Sequence, residues 1–215
     1  MVGPMKRRIL YKFCSLETKN RRKHVRRMIT KRELYFSDPS TFNDPYDCNI
    51  GLHLRGLLRP FGVLCFSTEG CDMILMFSYY GNRHRGVCLQ FEIDEDDTVG
   101  DVAPLFGRKV QYQDDLPVFK DHNDIDLQAY MTLITKYKKW QHEKEYRVLM
   151  HVEAECDRIR TYKPGQLRCV IFGLHMTPED EALLKRWVQR GCHKNVFFKK
   201  AQLSKNGFAL EFVDF

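Results

Sequence analysis

Residues 140–152 read WQHEKEYRVLMHV, and this stretch sets the interpretation of the rest of the chain. Glu143, Glu145 and Arg147 recur at every second position and lead into an apolar run at 148–150. Because successive side chains of a β-strand point to opposite faces, this spacing predicts a strand that carries two carboxylates and a guanidinium on one side. We therefore expect these three side chains to share one face of a central strand.

Length and composition are typical of a globular protein with a substantial core. The 215 residues are 43% hydrophobic and 13% aromatic, which suits one domain over 1–215. The sequence has no apolar stretch of about 18 residues and no apolar signal region at its start, so we expect a cytoplasmic protein with no membrane attachment. Its eight cysteines form no C-x-x-C pair, and this favours reduced, buried thiols over a zinc site.

Positive charge is concentrated near the start of the chain. The formal net charge is +7, and residues 19–32, KNRRKHVRRMITKR, hold eight Lys or Arg and no acid. A solvated helix face is one interpretation, and a surface for nucleic acid is the other, because dense positive charge attracts phosphate backbones. An acidic segment at 91–101 would offset part of this charge within the fold. The residues predicted to contact nucleic acid are Arg21, Arg22, Lys23, Arg26 and Arg27.

Hydrophobic patterning predicts an α+β fold with a mixed, mostly antiparallel sheet and flanking helices. The predicted strands are 8–13, 33–37, 62–67, 86–93, 109–113, 143–152, 168–173, 195–203 and 208–215, and the predicted helices are 19–32, 71–80, 125–140 and 178–190. Thr177 and Gly191 are the expected N-cap and stop of the last helix. The last two strands form a hairpin, whose Asn206-Gly207 pair suits a type I′ turn.

Two polar motifs supply further candidate site residues. Residues 78–86, SYYGNRHRG, place Ser78, Tyr80 and His84 around a helix end and a turn, where rigid neighbours position exposed side chains. Structural roles are the alternative. His84 suits a hydrogen-bonded turn, and the charged side chains Glu143, Glu145 and Arg147 could form ion pairs that contribute little net stability. Asn and Asp beside proline also cap turns. The second motif, FNDPYD at 42–47, contributes Asn43, Asp44 and Asp47.

The motifs fall in an order that resembles a bacterial family. That order is LYKF, LYFSDPSTFNDPYD, LCFS, ILMFSYYGNRHRGVCLQF, KVQY, WQHEKEYR and VIFGLHM. From about residue 10 to 213 it is similar to the family called domain of unknown function 2971. The chain departs from that family at Cys14, where Arg is usual, and at 77–80, which reads FSYY in place of Trp-Ser-His-Tyr. The resemblance implies a family whose general function is unassigned.

A more remote resemblance implies a mechanism. Glu143-x-Glu145 is similar to the E-x-E strand motif of ADP-ribosyltransferases, which implies an enzyme that takes NAD as its substrate. In such chemistry nicotinamide leaves, and a carboxylate offsets the positive charge that develops on the ribose. On this resemblance Glu145 is the main catalytic carboxylate, Glu143 orients or deprotonates the acceptor, and Tyr80 stacks the nicotinamide ring. Lys12 or Ser67 holds ribose or phosphate.

The same resemblance gives roles to the remaining candidates. Together with the basic segment 19–32 it implies that the acceptor is a nucleic acid and that the enzyme acts in a defence or toxin system. The remaining members of the predicted site are His84 and Arg147 among the catalytic residues, and Ser78, Asn43, Asp44 and Asp47 among the NAD-binding residues.

Two other classes of function remain open. A metal-dependent nuclease is the first, with magnesium held by acidic side chains and a water molecule activated by His84. Arg147 argues against it, because a guanidinium among the carboxylates would occupy the metal ligands. A non-enzymatic module that binds nucleic acid through residues 19–32 is the second. The acidic ligands in the nuclease interpretation are Asp44, Asp47, Glu143 and Glu145.

Overall fold

The computed structural model describes residues 7–48, 58–94, 106–119, 124–191, 193 and 195–215. Its strands are β1 (Arg7–Cys14), β2 (Glu33–Tyr35), β3 (Phe61–Thr68), β4 (Val87–Asp94), β5 (Phe106–Lys109), β6 (Gln111–Gln113), β7 (Thr135–Tyr137), β8 (Glu145–His151), β9 (Ile159–Thr161), β10 (Leu167–Phe172), β11 (Phe197–Leu203) and β12 (Leu210–Asp214). Its helices are α1 (Lys19–Lys31), α2 (Met73–Tyr79), α3 (Ile125–Ile134) and α4 (Pro178–Arg190), with 3-10 helices at Pro39–Thr41, Lys138–Glu143 and Glu155–Arg158. Cys192 and the acidic residues within 95–101 lie outside the described ranges. In those ranges, no helix is long and apolar enough to cross a membrane.

Eight strands form one sheet in the order β12-β11-β10-β4-β1-β3-β8-β5. Neighbouring strands are antiparallel, except that β10 and β11 run parallel and are connected through α4. Two smaller sheets pair β2 with β9 and β6 with β7. The predicted α+β fold with a mixed, mostly antiparallel sheet is confirmed.

Helices cover both faces of the large sheet. α1 and α4 pack on one face, where Ile29 and Leu184 join strand residues such as Leu89 in the main hydrophobic cluster. α2 packs on the opposite face, where Phe77 meets Cys88. α3 also lies on that opposite face, against β3 and β8. Successive side chains of each central strand therefore pack into hydrophobic clusters on opposite faces of the sheet, because strand side chains alternate between the two faces.

The sheet is closed on one side of β1 and opens on the other. β1 pairs with β4 over eight consecutive residues, but it pairs with β3 at Leu10 and Tyr11 alone among its described residues. Beyond Tyr11 the two strands separate, and Lys12 bridges the gap by donating from Nζ to the carbonyl oxygen of Cys65 at 3.0 Å. We call this opening between β1 and β3 the seam. Ligand-sized space inside a sheet requires such a break in strand pairing.

The strand that the sequence predicts from Glu143 begins two residues later. Glu143 ends a 3-10 helix, and Lys144 adopts a left-handed backbone conformation (φ 46°, ψ 48°) before β8 starts at Glu145. The expectation that Glu143 shares a strand face with Glu145 and Arg147 is therefore wrong. β8 is also the seventh of eight strands, next to the edge strand β5, and not a central one.

Two predicted elements on the same side of the fold are interrupted. The helix predicted for 125–140 ends at Ile134, because Thr135 is extended (φ −101°, ψ 138°) and starts β7, which pairs with β6. The strand predicted for 109–113 is divided at Val110, whose N–H donates to the carbonyl oxygen of Glu145 at 3.0 Å. Tertiary pairing thus overrides the local helical and strand patterns here.

Local capping signals at the end of the chain are mostly reliable. Thr177 Oγ1 accepts from the N–H of Asp180, and α4 ends at Gly191, as predicted. The terminal hairpin also forms, between β11 and β12. Its turn is not type I′, because the connection spans 204–209 and neither Asn206 nor Gly207 has the positive φ that this turn requires. The turn prediction is wrong.

Candidate active site in the seam of the sheet

Two adjoining cavities occupy the seam. The smaller, which we call the inner compartment, has a volume of about 200 Å³. The larger, the outer compartment, has a volume of about 820 Å³ and runs along α1. The two share four lining residues: Lys12, Phe13, Ser37 and Tyr80. The predicted site residues that line the inner compartment are Lys12, Asn43, Asp47, Ser67, Tyr80, Glu143 and Glu145.

Arg147 organises the buried wall of the inner compartment. Its side chain is fully buried, and its guanidinium donates to both oxygens of Glu145 at 2.9 and 3.0 Å and to both oxygens of Asp47 at 2.8 and 2.7 Å. It also donates to the carbonyl oxygen of Leu133 at 2.8 Å. A buried charge is tolerated only when it is paired and hydrogen-bonded, and this arrangement meets that condition. Arg147 therefore fixes the position of Glu145.

Lys136 is the second cation of this wall. Its Nζ lies 2.5 Å from Glu143 Oε2, 3.1 Å from Glu145 Oε2 and 3.4 Å from Asp47 Oδ2. Burial alone would lower its pKa, but the three carboxylates outweigh this effect and raise the pKa above its usual value. Lys136 is therefore a permanent cation that links all three acids. Lys136 was not predicted as a site residue, because nothing in the sequence TKYKK at 135–139 distinguishes it from the neighbouring lysines.

The two glutamates of the E-x-E motif have opposite electrostatic environments. Burial favours the neutral form of Glu145, but Arg147 and Lys136 outweigh it and hold the pKa of this carboxyl below its usual range. For Glu143 burial is the dominant influence, and its pKa is raised despite the contact with Lys136. One carboxylate thus stays ionised, while the other takes up a proton more readily. That division suits a pair in which one acid offsets charge and the other moves a proton.

Tyr80 joins the end of α2 to this acidic wall. Its hydroxyl donates to Glu143 Oε1 at 2.5 Å. Burial raises the pKa of Tyr80 above its usual value, and the adjacent Glu143 raises it further, so the phenol remains a donor. A second tyrosine that the sequence analysis missed, Tyr112, accepts from the N–H of Glu145 at 2.8 Å.

Besides Arg147, which is fully buried and lines neither compartment itself, three predicted catalytic or NAD-binding residues lie outside both. Ser78 donates to the carbonyl oxygen of Ile74 at 2.8 Å and lies 2.9 Å from His84 Nε2. The His84 ring stacks on Phe77, and burial lowers its pKa. Asp44 accepts from the N–H of Tyr46 at 2.9 Å, in the turn that its motif suggested. The structure therefore does not bring Ser78, His84 and Asp44 to the seam.

The basic segment forms α1, a helix whose polar residues are exposed or half-buried around the buried residues Val25, Met28 and Ile29. Its predicted contact residues divide into two sets. Arg21, Lys23 and Arg27 line the outer compartment, and Arg27 also pairs with Glu33. Arg22 and Arg26 do not line it, and Arg22 donates to Asp180 of α4 at 3.1 Å.

Three of the four carboxylates that were considered as magnesium ligands already have cationic partners. Lys136 and Arg147 occupy the oxygens of Asp47, Glu143 and Glu145. Across the described residues, no group of three or more His, Cys, Asp or Glu side chains is arranged to hold a metal ion.

Comparison with known proteins identifies a family over one third of the chain. The model of the family described as protein of unknown function (DUF2971) matches residues 76–148, which run from α2 into β8 and include Tyr80, Lys136 and both glutamates of the E-x-E motif. No curated protein and no solved structure matches the chain. The resemblance to this family is thus confirmed for residues 76–148.

Proposed function

We propose that this protein binds NAD in the seam and transfers its ADP-ribose group to an acceptor, as ADP-ribosyltransferases do. The observation that carries the proposal is the placement of Glu145. It is a buried carboxylate, held ionised by Arg147 and Lys136, on the wall of a compact inner compartment that shares four lining residues with a larger, basic one. A fixed negative charge in a sheltered site is what a developing oxocarbenium ion needs.

The two compartments suit the two halves of a dinucleotide. Nicotinamide and its ribose fit the inner compartment, where aromatic side chains and carboxylates meet. Lys12 lies between the compartments and has donated one hydrogen bond, to Cys65, so its two remaining protons are available to the pyrophosphate. The adenosine half then extends into the outer compartment.

The chemical step uses the two glutamates differently. The bond between ribose C1′ and the nicotinamide nitrogen breaks, and its electron pair leaves with nicotinamide. Glu145 offsets the positive charge on the ribose, while a lone pair of the acceptor forms the new bond at C1′. The acceptor proton passes to Glu143, whose raised pKa favours uptake. Each oxygen of Glu143 accepts one hydrogen bond, from Tyr80 or Lys136, which leaves acceptor capacity on both oxygens.

Replacement of Glu145 by Gln tests the proposal directly. Glutamine keeps the size and an acceptor oxygen but cannot offset an oxocarbenium ion, so we expect nicotinamide release from NAD to fall about 100- to 1000-fold. NAD binding, measured by titration calorimetry, should remain close to that of the wild type. Glu153→Gln, which removes an exposed carboxylate just after β8, is the matched control and should retain full turnover.

The same assay separates the other classes of function. Nicotinamide release, followed by chromatography, is expected to persist in the presence of a chelator, because the proposed step uses no metal. Chelator-sensitive cleavage of DNA or RNA without nicotinamide release would instead indicate a nuclease. Absence of both reactions with DNA, RNA and protein acceptors would refute the transferase proposal, and thermal melts would show that Glu145→Gln is folded.

A further inference from the structure

Three aromatic rings form a cluster beside the seam. The ring centroids of Tyr79, Trp140 and His142 lie 5.9 to 6.1 Å from one another. Tyr79 is 60% exposed, which is unusual for a large aromatic side chain that already has ring neighbours. We call this cluster the aromatic platform. Its exposed member, Tyr79, is available to a ligand that stacks on an aromatic ring.

The platform is connected to the proposed catalytic wall through the chain itself. Tyr79 precedes Tyr80, and His142 precedes Glu143, so each of these wall residues has a platform residue as its neighbour. The Trp140 ring lies 5.1 Å from the Nζ of Lys136, a cation–π distance. Lys136, which pairs with Glu143 and Glu145, is thus the direct spatial link between the platform and the acids that handle the acceptor.

Two cations of α1, Arg21 and Lys23, line the outer compartment together with Tyr79, the one platform residue that lines it. Lys23 has no ion-pair partner among the described residues, and the Arg21 pair with Glu17 is exposed and long, at 3.8 Å. An exposed aromatic ring and solvated cations in one groove are the combination by which proteins bind single-stranded nucleic acids.

We propose that the acceptor of this site is a single-stranded nucleic acid, with a base stacked on the aromatic platform and backbone phosphates held by Arg21 and Lys23. A single strand is required because the base faces of a duplex are covered by their neighbours, whereas a splayed base presents its face to an aromatic ring. The proposal rests on the transferase function for its chemistry. Its binding step is independent of NAD and can be tested without it.

Fluorescence anisotropy with labelled strands of about ten nucleotides tests this binding. The probes are a deoxyribose strand, a ribose strand, a duplex of equal length and a strand without bases, all measured in the absence of NAD. One of the single strands should bind at least about 5-fold more tightly than both the duplex and the abasic strand, because one stacked base contributes on that scale. Equal affinity for the abasic strand or for the duplex would overturn the proposal.

Variants of the platform and of α1 separate stacking from charge. Tyr79→Ala should weaken binding about 5- to 150-fold without changing the dependence on salt, while Tyr79→Phe keeps the ring and should bind like the wild type. Lys23→Glu should lower the slope of log affinity against log salt by about one, as the loss of a phosphate contact does.

Arg26→Glu is the matched control for Lys23→Glu, because Arg26 is equally exposed but does not line the outer compartment. It makes the same change in net charge and should leave the slope nearly unchanged. If Lys23→Glu and Arg26→Glu had the same effect, or if Tyr79→Ala had none, the assigned surface would be wrong even with NAD turnover intact. Loss of NAD turnover with strand binding preserved would instead count against the transferase proposal alone.

Discussion

The two walls of the seam use charge in opposite ways. On the inner wall every charge has a partner, since the three acids and two cations of the buried cluster lie within hydrogen-bonding or ion-pair distance of one another. On the outer wall α1 presents exposed cations, of which Lys23 has no ion-pair partner among the described residues. The inner charges therefore hold one another in fixed positions, whereas Lys23 on the outer wall is held by no ion pair in the described part of the chain.

A comparison of α1 with α4 sharpens this difference. Both helices have 13 residues, begin at a threonine N-cap and pack on the same face of the sheet. The first turn of α4 carries Glu179, Asp180 and Glu181, which suit the positive end of a helix dipole. The first turn of α1 has no acid and begins with Lys19. The cations of the first turn of α1 thus act against the stability of their own helix, which agrees with a role in binding anions.

The largest expected effect on stability comes from breaking the inner wall at Arg147. Arg147→Ala leaves the carboxylates of Asp47 and Glu145 buried beside a single cation, Lys136, and such uncompensated burial typically costs about 3–5 kcal/mol. The free energy of unfolding, measured in urea, should fall by this amount. Lys23→Ala, on the exposed outer wall, should change it by about 0.5 kcal/mol or less. Similar losses for both variants would contradict the contrast between the walls.

Acidification should weaken the inner wall through Glu145, but less than removal of Arg147 does, because a protonated carboxyl still accepts hydrogen bonds. The folded pKa of Glu145 lies below the unfolded value of 4.5, so its stabilising contribution is complete above pH 4.5 and is lost as the pH falls below it. Glu143, with a raised folded pKa, has the opposite sign. Protonation of Glu143 favours the folded state as the pH falls through its folded pKa.

Glu145→Gln isolates this contribution. The free energy of unfolding is measured between pH 3 and pH 6, a window of about 1.5 units on each side of the unfolded pKa. Below that pKa it should depend less steeply on pH in the variant than in the wild type. Glu153→Gln removes an exposed carboxylate and should retain the wild-type slope. An identical slope for wild type and Glu145→Gln would mean that the carboxylate is not held ionised by its two cations.

A smaller effect should distinguish the two adjacent tyrosines. Tyr80→Phe removes the hydroxyl that donates to Glu143 and leaves a buried carboxylate oxygen without that partner, which costs about 1–2 kcal/mol. Tyr79→Phe removes an exposed hydroxyl and should be nearly neutral. Paired urea titrations of the two variants would measure the difference. Equal stability would indicate that the hydrogen bond to Glu143 contributes nothing.

Local signals were enough for most elements but not for the way the seam is assembled. The cap at Thr177 and the period-two pattern of β8 depend on neighbouring residues, so the sequence could reveal them. The spacing of Glu143 and Glu145 predicted one strand that brings both side chains to one site. Both do line the inner compartment, but they are not on the same strand. Glu143 reaches the cluster from a 3-10 helix, and the left-handed Lys144 sets its direction.

Other features of the seam depend on contacts between distant segments. Lys136 became a site residue only because β7 replaced the end of a predicted helix and buried its ammonium among three acids. The separation of β1 from β3 likewise has no local sequence signal. Ser78 and His84 are the opposite case, because the sequence predicted them as site residues. In the structure both side chains form local hydrogen bonds at the end of α2 and in the turn that follows.

The smallest predicted effect has an unusual sign, because Lys19→Glu should stabilise the protein. Lys19 is the first residue of α1, and replacing a cation by an acid at this end of the dipole is worth about 0.3–1 kcal/mol. Lys31→Glu is the matched control, since it makes the same change in net charge in the last turn, where the dipole favours a cation. Unfolding free energies at low ionic strength should therefore rise for Lys19→Glu and fall for Lys31→Glu, and the difference should shrink with added salt. Equal shifts in the two variants would mean that the overall charge of +7, and not the helix dipole, sets the cost of the cations on α1.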